Sequence, residues 1–208
     1  MPPIHSARED LRQSPAGHER TRPLGSLPLI RLLFASSSIL VPFTLALLRR
    51  KLAENGNKYG IPLIEMSPGS VFDIGAFSVE MVGLAHSIPD PTALAIRCGA
   101  GTLLHTGDWK FDATPGLGSD TDSTRLAEIG DEGVLAMVGD STNAMVEGRT
   151  ASEAEAEAGL KDAIAAATGR VAVTCFSSNV ARIQSIIRAA QANDRSVAVV
   201  GRAIKRAM

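Results

Sequence analysis

Three residues with chemistry to offer stand just past apolar, strand-like runs. They are His86 in Gly-Leu-Ala-His-Ser-Ile-Pro-Asp, Asp108 in Leu-His-Thr-Gly-Asp-Trp-Lys, and Asp140 in Gly-Asp-Ser-Thr-Asn. An imidazole can bind a metal or carry a proton, and a carboxylate can bind a metal or orient an imidazole. Singly, each has a plainer explanation: a hydrogen-bonded loop histidine, or an aspartate in a Gly-Asp turn. In open α/β sheets, however, ligands bind beyond the carboxyl ends of the strands. Three such ends carrying His, Asp and Asp therefore outline a candidate site. Ser177, Ser178 and Asn179 stand at the start of a helical pattern, where hydroxyls and unpaired amides can hold a phosphate or simply cap the helix. His105 alternates within an apolar strand and reads as a core residue, and Cys175 reads as core packing. His5 and His18 stand alone. Trp109 could stack on a base, but one aromatic proves little.

The elements that must position these residues are legible in the spacing. Pro42 suits a first helical position, Phe43, Leu45, Leu48 and Leu52 face one way, and Asn55-Gly56 is a stop signal. Short strand-like pieces follow at 71–74, 77–82, 92–98 and 101–105, punctuated by Gly60, Pro68-Gly69, Gly75 and Gly99-Ala-Gly101. Spacing this close predicts an antiparallel or mixed sheet. Past residue 120 strand and helix alternate. Strands are expected at 134–138, 171–176 and 196–200, with helices after the capping boxes Thr150-Ala-Ser-Glu and Ser152-Glu-Ala-Glu and over 179–192. Glu157 and Lys161 are spaced as an i,i+4 pair. Strands linked by helices predict a parallel, Rossmann-like sheet, and the chain as a whole an α/β class.

Composition bounds the function. The 208 residues carry 21 Lys and Arg against 22 Asp and Glu, which excludes a strongly basic nucleic-acid coat or a polybasic membrane binder. Any nucleic acid must bind through a local patch. Two cysteines, Cys98 and Cys175, make no disulfide framework and suit a reducing cytoplasm. Residues 32–48 run without a charge, yet Ser36, Ser37, Ser38 and Pro42 interrupt the stretch, so a buried segment is expected rather than a membrane anchor. Residues 1–40, with five prolines and no sustained period, read as an atypical amino-terminal arm.

His86-Ser-Ile-Pro-Asp, Thr106-Gly-Asp-Trp-Lys-Phe-Asp112, Gly139-Asp-Ser-Thr-Asn143 and Phe176-Ser-Ser-Asn-Val180 occur in one order. Together with Pro42-Phe-Thr-Leu-Ala-Leu-Leu and Val200-Gly-Arg, they closely resemble ribonuclease J, of the β-CASP branch of the metallo-β-lactamase superfamily. The resemblance implies a partial metallo-β-lactamase αββα domain over 41–150 and the beginning of a β-CASP domain with parallel strands over 151–208. It implies a zinc-dependent RNA phosphodiester hydrolase acting in RNA processing and decay. In it His86 is a ligand to one zinc, Asp108 bridges two zincs, and Asp140 orients a ligand or the attacking water. Ser177, Ser178 and Asn179 would contact RNA phosphate. It also implies a cytoplasmic protein with no membrane partner, and a homo-oligomer in the intact family.

The chain departs from that pattern. The family's main zinc motif, His-x-His-x-Asp-His, is absent from the sequence. The expectation is thus a truncated or frame-shifted form, with Leu27 to Leu40 out of frame, an incomplete metal site and no activity on its own. The alternatives are a non-catalytic remnant that binds RNA or a partner, and a β-CASP nuclease directed at DNA.

Overall fold

The computed structural model describes residues 38–54, 56 and 60–207. His5, His18 and most of the expected arm lie outside the described residues. Over the described ones the architecture is α/β, with seven strands and five helices.

The first helix, α1 (Pro42–Glu54), begins at the proline and ends at the Asn-Gly stop, burying Leu45 completely. Before it lies β1 (Ser38–Leu40), which pairs in parallel with β2 (Leu63–Glu65). Three residues of the arm are therefore a strand, which a reading of 1–40 as featureless text did not anticipate. Three residues are too few to show a period, so only the partner reveals the strand.

The main sheet runs β3 (Val71–Ile74), β4 (Phe77–Gly83), β5 (Thr92–Cys98), β6 (Gly101–His105) and β7 (Ala136–Val138), in that spatial order. The first four strands are antiparallel to their neighbours, and β7 joins β6 in parallel. Two-residue turns close β3 on β4 and β5 on β6, and Gly75 takes the positive φ of 61° that the first of these requires. The parallel β6–β7 pair needs a crossover, supplied by α2 (Ser123–Glu132). Asp122 caps α2 through its side chain, which accepts from Arg125 N. Ile129 of α2 is fully buried against Val82, Leu84, Ala93 and Ala95 of the sheet. Burying one such side chain is worth about 2 kcal/mol.

Beyond the sheet, α3 (Glu153–Ala166) and α4 (Val180–Gln191) pack on each other. Ser152 and Glu155 form the expected capping box on α3. A short α5 (Arg202–Ala207) follows. Glu157 pairs with Arg188 of α4, at 2.5 Å from Nη2. The expected i,i+4 partner, Lys161, is not its hydrogen-bonded partner, because a guanidinium on the facing helix offers two donors in a fixed fork.

The parallel strands expected past residue 120 are partly corrected. The first shortens to Ala136–Val138 and belongs to the main sheet. Segments 171–176 and 196–200 carry no strand ladder among the described residues. They nevertheless lie side by side, since Val171, Val173, Val197 and Ala198 line one cavity with Ile186 of α4. His105 is also corrected: it is exposed at the end of β6, with Nδ1 accepting from Gly107 N, and does not belong to the core.

Candidate functional site

The register of the main sheet explains why distant residues converge. Gly83 lies opposite Thr92, Leu94 opposite His105, and His105 opposite Val138. The carboxyl ends of β4, β6 and β7 thus fall at one end of the sheet, and His86, Asp108 and Asp140 each follow one of them. Hydrogen bonds then tie the three loops together. Lys110 N donates to Ala85 O, Thr106 N to Val138 O, and Asp140 N to Thr106 Oγ1. The Trp109 indole N–H reaches Asp140 O at 3.1 Å. Ala181 N at the start of α4 donates to Ser87 O, which brings the Ser-Ser-Asn segment to the His86 loop.

The result is a cavity of about 330 Å³ whose lining includes His86, Asp90, Asp108 and Ser178. His86 Nδ1 lies 3.0 Å from Ser87 Oγ. Asp108 is exposed, and its carboxylate has no hydrogen-bond partner among the described residues. Asp140 stands outside this lining, on the neighbouring cleft. Its carboxylate accepts from the Thr142 hydroxyl and amide, and these, with the nearby His86, hold it below the usual carboxylate range.

The serine-asparagine triplet divides its labour. Asn179 is the N-cap of α4, its Oδ1 accepting from Arg182 N at 2.8 Å. Ser178 is exposed on the cavity, while Ser177 is half-buried and outside its lining. Asp90 was legible only as part of a Pro-Asp turn. In the fold its Oδ2 accepts from Phe43 N at the start of α1, 47 residues away, and its Oδ1 is buried without a partner. The aspartate closing the His-Ser-Ile-Pro-Asp motif was the available signal.

A second junction holds the loop of Asp108 to α3. Asp112, with its side chain only 2% exposed, accepts from Lys110 Nζ, Thr114 N and Glu153 N. Burial works to raise this carboxyl, but those donors outweigh it, and the net shift is downward. Glu153 in turn takes a bidentate contact from Arg182.

As metal donors, the described residues fall short of a site. His86 and Asp108 share the cavity, whereas a catalytic zinc takes three protein ligands and a water. No group of three or more His, Cys, Asp or Glu that could hold a metal ion occurs among the described residues. They do not fit the two-zinc centre that the resemblance implies.

An α/β sheet with His and Asp side chains gathered at its strand ends leads into a carboxyl-terminal segment, residues 168–208, that matches the family model "Ribonuclease J, beta-CASP domain". This match lies within the 151–208 span read as the start of a β-CASP domain. Ribonuclease J of Sinorhizobium meliloti is 49% identical over 165 residues, covering 79% of this chain and 29% of its own length. That of Thermus thermophilus is 41% identical over 195 residues, 90% of this chain and 34% of its own length. Ribonuclease J2 of Bacillus subtilis is 40% identical over 159 residues, 76% of this chain and 29% of its own length. The chain is similar to these ribonuclease J proteins over three quarters or more of its own length and spans about a third of theirs. A crystal structure of a protein of unknown function from Enterococcus faecalis V583 shares the fold, with a TM-score of 0.55 at 18% identity over 74% of this chain and 40% of that one.

Proposed function

We propose that this chain carries one wall of the active site of a ribonuclease J-type RNA phosphodiester hydrolase, and that by itself it does not cleave RNA. The observation that carries this reading is the shared cavity of His86, Asp108 and Ser178. His86 and Asp108 would be two of the donors to the metal centre that the resemblance implies, which the described residues do not complete. Asp140 acts as a positioning residue: its main chain is held by Thr106 and Trp109, which fixes the end of β7 beside the His86 loop. Ser178 offers a hydroxyl to an RNA phosphate at the cavity mouth, and Asn179 supports it by capping α4. Both cysteines are free, which suits the cytoplasm. No helix among the described residues is long and apolar enough to cross a membrane.

The test is cleavage of end-labelled RNA and single-stranded DNA by the purified chain with zinc added, alongside bound zinc and molar mass by light scattering. No cleavage of either strand and fewer than the about two zincs of a dinuclear site are expected. RNA cleavage that Asp108→Ala abolishes overturns the inactivity. Cleavage of DNA alone favours a DNA-directed enzyme. The remnant reading, RNA binding without catalysis, is favoured by the exposed Ser178, and a shift in light scattering would report the copies associating.

A further inference from the structure

Next to the His86 cavity lies a larger cleft of about 620 Å³, walled by the loop after β6 and the loop after β7. Its chemistry differs from that of its neighbour. Phe111 presents its ring with 63% of the residue exposed, an unusual state for a phenylalanine on a loop otherwise fixed by hydrogen bonds. Trp109 backs that ring edge to face, with centroids 5.1 Å apart and planes at 87°. The indole itself packs on the sheet core and is tethered through its N–H, so Phe111, and not Trp109, offers the open face.

Two cations line the cleft, but both are occupied. Lys110 Nζ lies 2.8 Å from Asp112 and 2.7 Å from Ala151 O, and Arg149 Nη1 lies 2.8 Å from Glu155. The wall is close to neutral, which disfavours a phosphate. Also lining the cleft, the Asn143 carboxamide and the Ser141 hydroxyl make no side-chain hydrogen bond among the described residues. A carboxamide offers donors and an acceptor together, as the edge of a nucleobase requires. An aromatic face, a neutral wall and unspent amide groups suit a base, and the cleft's volume falls within the range of small-ligand sites.

We propose that this cleft receives one unpaired base of single-stranded RNA, stacked on Phe111 and hydrogen-bonded by Asn143. The inference rests on the reading of this chain as RNA-facing. Asp108 and Trp109 are adjacent in sequence, so a strand with its phosphate at the His86 cavity brings a neighbouring base to Phe111. Double-stranded RNA, whose bases are already stacked and paired, does not fit.

Trp109 is the sole tryptophan and serves as a built-in reporter. Labelled oligouridylate is titrated into the chain, with affinity read by anisotropy and occupancy of the cleft by tryptophan fluorescence. Binding with quenching of Trp109 is expected. Phe111→Ala and Phe111→Leu weaken binding about tenfold, Phe111→Tyr retains it, and Asn143→Ala gives a smaller loss. Circular dichroism melts establish that each variant is folded, and the Tyr variant keeps the test valid if Phe111→Ala unfolds. RNA binding that is indifferent to Phe111→Leu, or that leaves Trp109 unquenched, overturns the base cleft but keeps the RNA reading. Tighter binding of duplex than of single strand also overturns it. No RNA binding by the unaltered chain overturns both.

Discussion

The sheet of residues 71–105 and the helical part of residues 153–207 find their partners in different ways. In the sheet, every strand from β3 to β6 is hydrogen-bonded to its neighbour in sequence, through two-residue turns at either end and the loop of residues 84–91 between β4 and β5. In the helical part, α3 and α4 pack closely, yet the apolar segments 171–176 and 196–200 on either side of α4 carry no ladder. Antiparallel pairing is closed locally, whereas a parallel pair must be brought together by a crossover, and α4, which links the two segments, leaves them adjacent without a ladder. The same apolar, β-branched composition therefore gives a ladder in one region and none in the other. Charge is arranged in parallel fashion. Glu80 of β4 collects Arg97 from β5 and Arg125 from α2, and Glu153 collects Arg182 from α4. Asp112 bridges the two regions.

Asp112→Ala breaks the comparison most severely. It strands the Glu153 and Thr114 amides and leaves the Lys110 ammonium only its bond to Ala151 O, at a cost of about 3 kcal/mol. Urea denaturation reads the total. Hydrogen exchange should show α3 loosening well before β4 and β5, and uniform protection loss would deny that Asp112 is the junction.

Glu80→Gln weakens the sheet alone. The Arg125 guanidinium, with help from Arg97 and against burial, holds the Glu80 carboxyl at about 2, down from 4.5. Because the folded pKa is depressed, the stabilisation is complete above about 4.5 and is lost as pH falls towards about 2. At neutral pH the variant should lose about 2 kcal/mol after allowance for solvent screening, and its acid unfolding limb should be shallower than that of the parent. Identical acid limbs would show that Glu80 is not the titrating group.

Gly118→Ala probes the site end of the sheet. Gly118 has φ of 76°, and an added methyl would collide with the Pro89 carbonyl in the His86 loop. About 2 kcal/mol of destabilisation is expected, together with a displaced His86 resonance in proton–nitrogen spectra. An unmoved His86 signal would mean that the loop is not braced from that side.

Ser152→Ala is the mildest. It removes the hydroxyl half of the capping box on α3 and should cost about 1 kcal/mol, with the exchange change confined to the first turn of α3.

Much of this molecule was readable because its signals are local. The helix from Pro42, the four antiparallel strands, the Ser152 capping box and the Asn179 cap rest on residues within one or two turns of each other, and all appear close to their expected bounds. The placement of His86, Asp108 and Asp140 beyond apolar runs was enough to nominate a site. The helix α2 was not read, since its charged sequence hides a single buried contact, Ile129, on which its docking depends.

What the chain determines by itself, then, is which segments are helices or hairpin strands and which side chains carry chemistry, since both follow from spacing along the chain. Tertiary structure alone decided that Ser178 shares a cavity with His86 while Ser177 does not, that Asp90 caps a helix 47 residues away, and that Phe111 rather than Trp109 shows its face. Those outcomes depend on which surfaces meet in space, and no local periodicity encodes a meeting between residues so far apart in sequence.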